Sequence, residues 1–145
     1  MEMKNLWKVS APKAEAPNII MENQAQDLTE ATNGLVVGEI ITKGYPSVST
    51  YMVSKVSPIT HNPNILECTF HATVPSLNYR LQIMRIVFSV FEFYPLILDD
   101  YINNEEYEVN NEDDLKEKLE KIIPSPNMTK VISNLMVQAT LKTPK

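Results

Sequence analysis

The stretch Leu66-Glu67-Cys68-Thr69-Phe70-His71-Ala72-Thr73-Val74 decides the fold class. Leu66, Cys68, Phe70, Ala72 and Val74 alternate with Glu67, Thr69, His71 and Thr73. That period of two belongs to a half-buried antiparallel strand. Pro75-Ser76-Leu77-Asn78 closes a short turn, and the chain returns through a long apolar run from Tyr79 to Phe93. Here both parities are apolar. Leu81, Ile83, Val87, Phe91 and Phe93 share one side, and Met84, Ile86, Phe88 and Val90 share the other. A regular strand would turn one set to a core. It would leave the other as an apolar second face, to be covered by another subunit, by the N-terminal arm or by a bound protein. A β-bulge would instead shift the parity and bring both sets inside.

Working outward, Leu35 to Lys43 reads as a first strand, broken by Gly44-Tyr45-Pro46-Ser47. Val48 to Ser57 reads as a second, with the Ser and Thr content of a solvated or edge strand. Residues 1–33 carry two Ala-Pro pairs and then a polar Ala/Gln/Glu-rich stretch, and read as an extended or flexible arm ahead of a domain over 34–145. Trp7 stands out there as an anchor for its own domain or for a partner. Downstream, Pro95 to Asn104 reads as a long loop, and Glu105 to Val109 as a short strand or turn. Asn110 or Asn111 caps a helix whose first turn holds Glu112, Asp113 and Asp114. Its stripe is Leu115, Leu119, Ile122 and Ile123. Pro124 ends it, and Ser125 caps a second helix with Pro126 at its first position. Met128, Val131, Ile132, Leu135, Met136 and Ala139 mark one face of that helix. Four strand-like segments followed by two amphipathic helices make an α+β chain.

The bulk numbers exclude several functions. At 145 residues the chain is one domain, or one small domain with a tail, and 43% hydrophobic content supports a core. A net charge of −5 argues against nucleic acid, which needs clustered Lys and Arg, and against an anionic membrane surface. One cysteine, Cys68, permits no intrachain disulfide and points to a reducing compartment. No secretion signal and no membrane-length apolar run is visible, so the expected location is cytoplasmic.

Catalytic chemistry is not legible either. His61 and His71 with one cysteine make no zinc site. Asp99, Asp100, Glu105 and Glu106 cluster, but without the alternating oxygens and central glycine of a calcium loop; they read as a solvated acidic loop or a docking surface for a basic partner. Three glycines supply no phosphate-cradling loop, and Cys68 lies with the apolar side chains as an inert core thiol. The expectation is a protein that is not an enzyme and carries no cofactor.

The run Asn64 to Val74, its short turn, and Tyr79-Arg80-Leu81-Gln82-Ile83 resemble the third and fourth strands of the SecB family of bacterial export chaperones. Ile132-Ser133-Asn134-Leu135 with Thr140-Leu141 and Pro144 is similar to the segment where that family's last helix leads through Thr-Phe to Pro. Pro126-Asn127 sits where the family has a Cys-Pro-Asn motif, at shorter spacing and without the full Cys-Pro-Asn-Ile-Leu-Phe-Pro run. The resemblance spans roughly residues 34 to 144 in pattern. It implies a four-stranded antiparallel sheet with two helices on one face, assembled as a dimer or a dimer of dimers. It further implies binding of unfolded segments in apolar grooves without ATP, in export or, as in divergent SecB-like chaperones, in toxin–antitoxin systems.

The residues themselves suit promiscuous apolar contact, since flexible Met and aromatic side chains repack around different ligands. Candidate contacts are Tyr45, Tyr51, Met52, Met84, Phe88 and Phe91. Met128 and Met136, at helical spacing, read first as core. Expected partners are unfolded client proteins or one dedicated protein. The alternative is a specific interaction or inhibitor module, of a phage or mobile-element kind, that binds through the arm and the acidic loop.

Overall fold

The computed structural model describes residues 3–9, 15–44 and 64–142. The expected second strand, Val48 to Ser57, lies outside the described residues, as do Tyr45, Tyr51, Met52 and His61. The described elements in chain order are α1 (Pro17–Ala31), β1 (Val37–Gly44), β2 (Ile65–Val74), a 3-10 turn (Pro75–Leu77), β3 (Tyr79–Ser89), β4 (Leu96–Asp100), β5 (Glu105–Val109), α2 (Glu112–Ile122) and α3 (Pro126–Lys142). The strands form one antiparallel meander in the order β1-β2-β3-β4-β5. The class is α+β, but among the described residues the sheet has five strands and is joined by three helices, where four and two were expected.

Two of these differences have local causes. The polar stretch read as an arm contains α1. Pro17 stands in its first turn, where a missing N–H costs nothing. Ile20, Met21 and Ala25 go into the core. Its end is set by Asn33 and Gly34, both at positive φ, with the Gly34 N–H donating to the Thr29 carbonyl at 2.9 Å. The run read as a loop contains β4, buried along its whole length. A buried strand shows no alternation, and its two aspartates made it look solvated.

The long apolar strand has the bulge, which brings most but not all of the two apolar sets together; Val87 stays on the opposite face with Ile65 and Ile97. Phe70 pairs with Met84 while His71 pairs with Gln82, which leaves Ile83 as the extra residue of β3. Leu81 and Ile83 therefore join Met84, Ile86 and Phe88 on a single core-facing side. That side also receives Cys68, Phe70, Ala72 and Val74 from β2, and all three helices cover it. The helix starts read from sequence stand. Asn111 Oδ1 accepts the Asp114 N–H at 2.8 Å, and Ser125 Oγ accepts that of Met128 at 3.4 Å.

α1 lies very close to β1. A Cβ on Gly38 would come 2.3 Å from the Ala25 carbonyl oxygen, so only glycine fits. The Gly38 N–H donates to Thr29 Oγ1 at 2.9 Å. Thr32 ties the connecting turn, its hydroxyl donating to the Val36 carbonyl at 2.8 Å and accepting the Val36 N–H at 3.1 Å. At the other end Asp100, 1% exposed, closes the β4–β5 hairpin by accepting the N–H groups of Ile102 and Asn103. The Asn103 amide also donates to Asp100 Oδ2 at 2.7 Å and to Ser125 Oγ at 3.1 Å, which fixes the hairpin against the α2–α3 junction.

Candidate binding cleft

α1 and α3 do not close over the sheet. Between them runs a cleft of about 340 Å³. Gln24, Asp27, Leu28 and Ala31 of α1 form one wall, at the spacing that stacks side chains along one helix face. Met128, Ile132 and Met136 of α3, four apart, form the other, with Thr129 and Ser133 beside them. Phe70, Ile83 and Met84 make the floor. The bulge therefore helps build the cleft as well as the core, because it sets Ile83 beside Met84 under the gap.

The lining is mostly apolar, and Asp27 is its one ionisable residue. The Thr32 hydroxyl at its edge is already engaged by the turn. Three methionines, Met84, Met128 and Met136, line it, and thioethers on unbranched chains adapt to irregular apolar surfaces. Met128 is buried as its helical spacing implied, whereas Ile132 and Met136 are half-buried and open to the cleft. Such a surface offers shape and apolar contact to a ligand. It sets no nucleophile beside a base, and no group of metal-ligating side chains occurs among the described residues.

A second depression of about 480 Å³ lies between α1 and α2 and shares Gln24 and Ile123 with the first. It is more polar. Lys116 there is 3.7 Å from Glu15 and 3.2 Å from Glu112. Together the two depressions run from Glu15, just ahead of α1, along the helix to Ala31.

The expected contact residues fall differently. Met84 is fully buried and meets the cleft only as floor. Phe88 is fully buried and packs edge-on against Phe93 at 5.8 Å between ring centroids. Through the bulge both lie on the core side, and the opposite face is mostly polar around a small buried apolar cluster of Ile65, Val87 and Ile97. Phe91 follows β3 and is 75% exposed, away from the cleft lining. Tyr45, Tyr51 and Met52 lie outside the described residues. The α1 wall was missed, although Pro17 at one end and Asn33-Gly34 at the other are ordinary helix boundary signals.

On the far side of the sheet Arg85 is buried between two carboxylates. Its Nε and Nη2 donate to Asp99 Oδ2 at 2.9 and 2.7 Å, and its Nη1 to Glu67 at 3.1 Å. Burial, the largest single influence, pulls the guanidinium pKa down, but the hydrogen bonds to Asp99 and Glu67 and the charges of Asp99 and Tyr101 together outweigh it and the net direction is upward. The acidic cluster is thus divided. Asp99 pairs with Arg85, Asp100 holds the hairpin, and Glu105 and Glu106 stay exposed. Cys68 is fully buried, and burial raises its thiol pKa to about 11. Among the described residues no helix is long and apolar enough to cross a membrane.

No family model matches the chain, and neither a curated protein nor a solved structure matches it.

Proposed function

We propose that this chain holds extended apolar segments of other proteins, without ATP, in the cleft between α1 and α3. The observation that carries the reading is an open, methionine-lined apolar cleft with a single ionisable residue in its lining. A site of that kind binds by apolar contact and tolerates varied side chains, as a holding chaperone requires. The SecB-like sequence pattern points the same way. In this reading the walls, Leu28, Ile132 and Met136, make the contacts, and the buried Met84 lies beneath them in the floor, whereas Phe88 belongs to the core and not to the cleft.

The test is light scattering of an unfolded protein diluted from denaturant, with and without this chain, in the absence of ATP. Suppressed aggregation near stoichiometric ratio is expected. Ile132→Asp, at a half-buried cleft position, should abolish suppression while the circular dichroism spectrum stays native. A native protein with no effect on aggregation, or an Ile132→Asp variant with full effect, overturns the reading.

A second reading, a module dedicated to one protein partner, draws on the N-terminal segment. Met3, Leu6, Trp7 and Val9 are all strongly exposed there. Removing residues 1–9 should abolish capture of that partner.

A further inference from the structure

We propose that the N-terminal segment Met3–Val9 is a built-in occupant of the α1–α3 cleft of its own chain, docking Leu6 and Trp7 there until a competing segment displaces them. The proposal rests on the geometry of the cleft and the arm, and holds whether or not the cleft takes clients.

The first observation is an imbalance of surfaces. Met3, Leu6, Trp7 and Val9 are 83%, 65%, 81% and 83% exposed, a concentration of apolar surface that water disfavours. The cleft is an apolar vacancy on the same molecule. Its volume of about 340 Å³ lies in the range of sites that take ligands of indole size and above.

The second is charge. The arm brings Lys4 and Lys8, which flank Leu6 and Trp7. The helix it would lie along has no basic residue; its Glu22 faces β1, while Asp27 and Glu30 are exposed. Asp27 sits in the cleft wall itself. An apolar pair between two lysines therefore matches an apolar trough with a carboxylate, Asp27, in its wall.

The third is reach. From Trp7 to Glu15 the chain can extend at most ~3.3–3.6 Å per residue, roughly 26–29 Å in all. Glu15 to Leu28 along α1 is about 20 Å at 1.5 Å per residue. The arm can fold back over the polar depression, which begins at Glu15, and place Trp7 in the apolar one. A tether this short gives an effective concentration on the order of millimolar, which favours the arm's own cleft over that of a second copy at micromolar protein.

Trp7 is the only tryptophan, so its emission reports the arm directly. The full chain, at several concentrations, is compared with a synthetic peptide of residues 3–9. Emission shifted to the blue of the peptide, at least about threefold protection from acrylamide quenching, and no dependence on concentration are expected. Met136→Lys, at a half-buried cleft position, should return both readings to those of the peptide. Peptide-like emission from the native chain overturns the proposal. So does a blue shift that grows with concentration, which means docking on a second copy, or one that persists in a folded Met136→Lys variant, which means docking elsewhere. Should Met136→Lys fail to fold, Trp7→Ala decides. Emptying the cleft of its anchor should tighten binding of a fluorescein-labelled 3–9 peptide at least about tenfold, and unchanged affinity overturns the proposal.

Discussion

Ile83 and Met84 are consecutive in the chain, yet both point into the same core. The bulge between β2 and β3 makes this possible, since Ile83 has no partner opposite it while Met84 pairs with Phe70. One extra residue gathers most of the apolar side chains of an apparently two-faced strand on one face, and leaves Val87 on the other with Ile65 and Ile97. It also decides how substitutions in β3 should be interpreted.

Phe88 and Met84 are stability positions. Phe88→Ala should cost about 3–5 kcal/mol and Met84→Ala about 2–5 kcal/mol, as buried side chains that leave cavities. Urea unfolding of both variants checks this. A loss below about 1 kcal/mol at Phe88 would show that the side chain is not held in the core.

Gly38→Ala should destabilise, because its Cβ meets the backbone of Ala25 and no side chain can move aside. A loss of about 1–3 kcal/mol is expected from the forced separation of α1 and β1. Gly44→Ala meets no atom within 4 Å and has no positive φ, so it serves as the control with a small effect. Thermal unfolding of the two variants side by side gives the comparison.

Arg85 holds together a part of the sheet that repels itself. Asp99 faces Glu106 across β4 and β5, and Asp100 faces Glu105, so like charges oppose each other in two successive pairs. Arg85→Met should cost about 3–5 kcal/mol, because it leaves Asp99 buried without its cation. Adding Asp99→Leu and Glu67→Leu should recover most of that loss. A triple variant no more stable than Arg85→Met alone would refute the account.

Alkaline pH should weaken the fold through Cys68. Its thiol pKa is about 11 when buried, against an ordinary value of 9.0. Between these values the unfolded chain releases a proton that the folded chain keeps, so stability is full below pH 9 and falls as pH rises toward about 11. The full effect corresponds to roughly 2–3 kcal/mol. Urea midpoints across this range should fall less steeply in Cys68→Ala than in the native chain, relative to each protein's value at pH 8.

Where the chain alternates or carries boundary residues, the fold was legible. β2 shows period two, and Asn111, Ser125 and Pro126 announce their helices. β4 was not legible because burial on both faces erases alternation, and Asp99 needs Arg85, fourteen residues away, to make its burial tolerable. α1 was hidden by its glutamine- and asparagine-rich surface, although its buried side chains sit at helical spacing. The cleft depends on α1, so half of its wall was lost with that helix. Its α3 wall was read correctly as one apolar face, but sequence does not show that the face is only partly covered.

The last strand of the meander has a consequence for how copies of this chain meet. Among the described residues, β5 lies at the margin of the sheet with one side of its backbone unpaired, and its residues Glu105, Glu106 and Glu108 are exposed. An unpaired strand margin ordinarily templates fibre growth. Here any second β5 would arrive with the same three carboxylates, and each added copy would deepen the repulsion. A protein with an open apolar cleft is exposed to self-association, and this margin makes runaway stacking through β5 self-limiting.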